Sequence, residues 1–94
     1  MRLTATTQNT IRDTILKLDS KATVILFGSR TSDSTKGGDI DLLVISETLT
    51  GRDLRKIKIH LQDQLGMQRF DIVLTTSDLS DPFAKMAFEE GISL

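Results

Sequence analysis

The chain has 94 residues, 38% hydrophobic and 27% charged, with a formal net charge of −1; that make-up suits one ordinary globular domain over residues 1–94 and argues against disorder. The near-neutral charge supplies no basic field for nucleic acid, and the four aromatic residues, all Phe, offer no platform for stacking bases. With no cysteine and one histidine, His60, disulfides, thiol chemistry and a zinc site are excluded, so a metal held by side chains would sit on carboxylates, the hard oxygen donors suited to Mg²⁺, Mn²⁺ or Ca²⁺.

Residues 1–10 are polar, and no apolar run approaches the length of a membrane span, so a cytoplasmic protein without a membrane partner is the expectation. Over residues 7–20, Ile11, Ile15 and Leu18 recur at i, i+4 and i+7, the stripe of an amphipathic helix. The run Ala22-Thr23-Val24-Ile25-Leu26-Phe27, closed by Gly28, reads as a buried strand. Residues 30–38 carry no apolar side chain and read as an exposed loop or a short helical turn followed by a loop. Asp39-Ile40-Asp41-Leu42-Leu43-Val44-Ile45 is a second buried strand with acid at its start. The short passage between these strands makes them neighbours, in either orientation.

Thr50, with Asp53 three residues on, predicts a capping box, and Leu54, Ile57, Leu61 and Leu65 continue at helical spacing to a stop at Gly66. Arg69 to Thr75 is a third strand. Asp81-Pro82 opens a last helix as N-cap and first-turn proline, with Phe83, Met86, Ala87 and Phe88 expected to face inward and Gly91 to end it. Helices interspersed with strands predict an α/β (α+β) fold in which a small mixed sheet is flanked by helices.

Three features bear on chemistry. Gly28-Ser29 follows a buried strand directly, and glycine lets a ligand approach the backbone closely. A helical turn starting at Ser29 would offer free N–H groups and a hydroxyl to a phosphate; the plainer reading is a strand end and a cap. Asp39 and Asp41, two apart in a strand, place both carboxylates on one face while Ile40 points the other way. Like charges so placed repel unless a cation lies between them; the plainer reading is a solvated strand end. Asp71, between Phe70 and Ile72, puts an acid in a strand that should otherwise be buried, which calls for a partner, Arg69 or a basic helix residue being the simplest. Taken together, a phosphate-type turn, two acids on one face and a third on another strand are the parts of two-metal phosphoryl chemistry, in which two cations about 4 Å apart serve the attacking and leaving oxygens.

Elsewhere, His60 lies off the apolar stripe of its helix and reads as a solvated residue. Arg52, Arg55, Lys56 and Lys58 read as a solvated face able to meet an acidic partner.

Gly28-Ser29 followed, after residues 30–38, by Asp39-Ile40-Asp41 resembles the signature of the DNA polymerase β-type nucleotidyltransferases. Leu26-Phe27-Gly28-Ser29-Arg30 with Asp39-Ile40-Asp41-Leu42-Leu43-Val44 is similar to their minimal bacterial members, the minimal nucleotidyltransferase antitoxins paired with HEPN ribonuclease toxins, and the likeness extends to the ending Pro82-Phe83 through Glu90-Gly91-Ile92. The resemblance implies a polymerase β-like nucleotidyltransferase fold. It assigns Asp39 and Asp41 to two Mg²⁺ ions, Asp71 to the catalytic one and to the acceptor hydroxyl, Gly28 and Ser29 to the triphosphate, and Arg30 to phosphate. Two departures bear on the loop. It has nine residues where those antitoxins often have ten, and Thr31-Ser32-Asp33 stands where they commonly have a glycine.

The same resemblance implies transfer of AMP from ATP to a tyrosine of a partner HEPN-type toxin, in a hetero-oligomer, silencing the toxin. A chain this short holds a nucleotide and leaves little to grip an acceptor, which agrees with a protein partner; with no tyrosine in the chain, self-modification on Tyr is excluded. Two alternatives stand beside this. One is a non-catalytic antitoxin that neutralises its partner by contact. The other is a nucleotidyltransferase for a small molecule such as an aminoglycoside.

Overall fold

The computed structural model describes residues 4–27, 40–66 and 69–94. The Thr4 hydroxyl accepts the backbone N–H of Thr7 at 3.1 Å, an N-cap that starts α1 (Ala5–Leu18). The helix begins two residues before the apolar stripe suggests. Threonine is a weak helix former, but the Thr10 and Thr14 hydroxyls bond back to the carbonyls four residues earlier and so remain satisfied inside the helix. Ile11 and Ile15 bury its inner face, while Leu18 stays exposed.

Strands β1 (Thr23–Phe27) and β2 (Ile40–Ile45) pair antiparallel, which settles the orientation that the sequence leaves open. Helix α2 (Gly51–Leu65) opens on the expected capping box: Thr50 Oγ1 accepts the Asp53 N–H, and the Asp53 carboxylate accepts the Thr50 N–H at 2.9 Å. It stops at Gly66, whose φ of 87° is a left-handed value that a side chain would resist. Strand β3 (Phe70–Thr75) then pairs parallel to β2, the crossover through α2 that parallel strands require. Helix α3 (Pro82–Glu90) has Asp81 as N-cap, accepting the Phe83 N–H, and Pro82 in its first turn, as expected. The chain ends in a strand that the sequence did not signal, β4 (Ile92–Ser93), two residues paired antiparallel with β1. The sheet is mixed, four-stranded and ordered β3-β2-β1-β4.

Strand alternation divides the core into two layers. Val24, Leu26, Ile40, Leu42, Val44 and Phe70 face α1 and α2 and pack on Ile11, Ile15, Ile57 and Leu61. Ile25, Phe27, Leu43 and Ile45 face α3 and pack on Ala84 and Ala87. Here one expectation fails. Phe83, Met86 and Phe88 are 45%, 44% and 42% exposed, whereas Ala84 and Ala87 are 0% and 1%. At the end of α3 the chain passes so close to β1 that a Cβ on Gly91 would collide with the Ile25 side chain and with the Leu26 and Ala87 carbonyls. Ala84 and Ala87 pack against the sheet, and the large side chains flank that contact. Phe83 still meets Phe27 edge-on, ring centres 5.6 Å apart.

Candidate functional site

Register across three strands builds the site. Phe27 of β1 is the partner of Asp41, and Asp41 is the partner of Asp71. The three residues form one row across the sheet, at the end where β1 finishes and β2 and β3 begin. Partners on neighbouring strands, about 4.8 Å apart, present their side chains to the same face. That face is the α3 side, shared with Ile25, Leu43 and Val73. Asp41 is half-buried there and Asp71 exposed.

The structure thus brings two of the singled-out acids together. Asp39, which precedes Ile40, lies outside the described residues, as do Gly28, Ser29, Arg30 and the rest of the segment 28–39. The described residues on either side of that segment, Phe27 and Ile40, lie at the Asp41 row. Among the described residues no three metal-binding side chains cluster. Asp71 is placed differently from expectation: β3 is the outermost strand of the sheet, so its carboxylate meets solvent instead of a buried interior. Among the described residues that carboxylate forms no ion pair or side-chain hydrogen bond, with Arg69 or any other residue. Two carboxylates in register on neighbouring strands repel each other.

Asp71 also lines a groove of about 510 Å³ between α2 and β3, with Leu54, Arg55, Lys58, Phe70, Ile72 and Val73. Arg55 and Lys58, one turn apart on α2, are exposed, and neither forms an ion pair among the described residues. Their spacing was visible in the sequence as part of a basic face; what the sequence could not show is that this flank of α2 overhangs the strand carrying the third acid. His60 is exposed, as expected, and lines a separate crevice of about 240 Å³ between α1 and α2 with Lys17, Leu18 and Lys56.

The opposite end of the sheet also carries acids, each with local donors. Asp19 accepts from the hydroxyl of Ser46 and from the Lys21 N–H, which hold its carboxyl below the usual carboxylate range. Ser46 is buried and in turn accepts the N–H groups of Thr48 and Leu49, tying the end of α1 to the turn before α2. Asp78 accepts from the Thr76 hydroxyl and the Ser80 N–H, which lower its pKa likewise.

With this geometry in hand, comparison with known proteins is informative. The family model described as "Nucleotidyltransferase domain" matches residues 9–94. No curated protein matches the chain. The match covers nearly the whole chain, and the chain belongs to the nucleotidyltransferase domain family.

Proposed function

Proceeding from that membership, we propose that the protein transfers AMP from ATP to a hydroxyl of a partner protein, a tyrosine of a HEPN-type ribonuclease toxin, and thereby acts as its antitoxin. The observation that carries the reading is the register of Asp41 with Asp71, on one face, beside both ends of the segment bearing Gly28-Ser29 and Asp39. An acceptor hydroxyl held at Asp71 would attack the α-phosphorus of the nucleotide. The bond from that phosphorus to the bridging oxygen breaks, pyrophosphate leaves, and the hydroxyl proton passes to the Asp71 carboxylate or to water.

Each residue has a separate task in this reading. Asp41 and Asp39 would serve the triphosphate, and Asp71 the acceptor. Backbone N–H groups at Gly28 and Ser29 cradle phosphate oxygens, and Arg30 adds a cation to them. The aspartate oxygens are the donor set that Mg²⁺ takes, and Mg²⁺ held there would neutralise the charge that grows on attacking and leaving oxygens.

Incubating the protein with α-labelled ATP, Mg²⁺ and the product of the neighbouring gene tests the proposal. Label should appear on a tyrosine of that protein and vanish with Asp41→Asn. Toxin neutralised with no label transferred from any of the four nucleoside triphosphates would replace the enzyme with a binding module.

A further inference from the structure

The two ladder bonds that bracket β3 run from the Ile40 N–H to the Arg69 carbonyl and from the Ser46 N–H to the Thr75 carbonyl, both 2.9 Å. In a parallel ladder alternate residues bond the same neighbour, so the odd-numbered residues of β3 face β2. The backbone N–H and C=O groups of Phe70, Ile72 and Leu74 therefore face outward, and among the described residues no strand lies beside them. A row of outward amides is a template for one more extended segment.

We propose that the acceptor enters as an extended peptide that pairs with the outer edge of β3, with acidic residues on either side of the hydroxyl-bearing one. This rests on the function proposed above and specifies the substrate class for it. Strand geometry dictates the pattern. A guest residue opposite Asp71 points its side chain to the same face as Asp71, which sets its hydroxyl beside that carboxylate. Its two neighbours point to the other face, along Phe70 and Ile72 and under Arg55 and Lys58 of α2. Two exposed cations without an ion pair among the described residues, overhanging those flanking positions, select carboxylates there.

The test uses the full chain and two acetylated peptides, Ala-Val-Glu-Tyr-Glu-Val-Ala and its counterpart with Lys in place of Glu. Without nucleotide, the Glu peptide should slow hydrogen exchange at the Ile72 and Leu74 amides and leave Val73, already facing β2, unchanged. It should bind about tenfold more tightly than the Lys peptide, the sum expected of a few exposed charge pairs. The double variant R55E/K58E, altered only at exposed positions, should invert that preference. N-methylation of the edge-facing amides of the peptide should abolish binding. Equal binding of both peptides, or no change in exchange at saturating peptide, overturns the inference. Failures separate cleanly: exchange protection without any nucleotide transfer sinks the enzymatic reading alone, and label on a tyrosine without edge protection sinks the docking mode alone.

Discussion

The two ends of this small sheet carry aspartates under opposite conditions. Where β2 and β3 finish, Asp19 accepts from the Ser46 hydroxyl across the fold and from the nearby Lys21 N–H, Asp78 accepts from Thr76 and Ser80 beside it, and these donors hold the charge of both. Where β2 and β3 begin, Asp41 and Asp71 stand in register with each other, like charge beside like charge, next to the end of β1. Acids of the first kind staple the fold. Asp71, of the second kind, is exposed and makes no ion pair among the described residues, and the same residue type thus separates by its surroundings into architecture and candidate chemistry.

The comparison can be broken most sharply at the second end. Asp71→Asn and Asp41→Asn should each lower nucleotide transfer by on the order of 10²–10³-fold, the scale of losing one partner for transition-state charge. The thermal midpoint of Asp71→Asn should stay level or rise, because its carboxylate is exposed and makes no ion pair among the described residues. Activity and stability falling together would make Asp71 a staple like the others. Ser46→Ala should do the reverse, costing about 1–3 kcal/mol in denaturant titration while activity per folded molecule is retained, since it strands a buried turn and removes the partner of Asp19. Thr50→Ala removes one half of the α2 capping box and should cost about 1 kcal/mol in the same titration.

The smallest effect is on pH. Asp19 and Asp78 titrate lower in the folded chain than unfolded, so their contribution is intact above the usual carboxylate range and is lost as pH falls through their depressed values. Acid unfolding curves of Ser46→Ala should lose part of that dependence; an unchanged curve would detach Asp19 from the staple.

Much of this was legible in the chain itself. The Thr50–Asp53 box, the Asp81-Pro82 start and the glycine at 66 are local signals, and local signals determine helix ends. The alternation of Ile40 and Asp41 announced that the acid would lie on the face opposite the isoleucine, because a strand has a period of two; its pairing with Asp39 lies outside the described residues. What stayed hidden was non-local. No short-range pattern tells that Asp71 would come into register with Asp41 through a helix-long crossover, or that β3 would lie outermost. The inner face of α3 was misread for a related reason. Hydrophobicity favours Phe83, Met86 and Phe88, but the face that packs on the sheet is the one carrying Ala84 and Ala87.

One asymmetry of the sheet has a further consequence. Its β1 flank ends in β4, two residues that are too short to recruit a stranger, whereas on the other flank Phe70, Ile72 and Leu74 of β3 face outward with no strand beside them among the described residues. An edge that welcomes a guest is equally open to kin. In concentrated solution two copies could zip together along it, and the protruding charge of Asp71 and the cations above it are the guards against such self-association. A partner seated there would shield the protein from aggregation as well as present its hydroxyl.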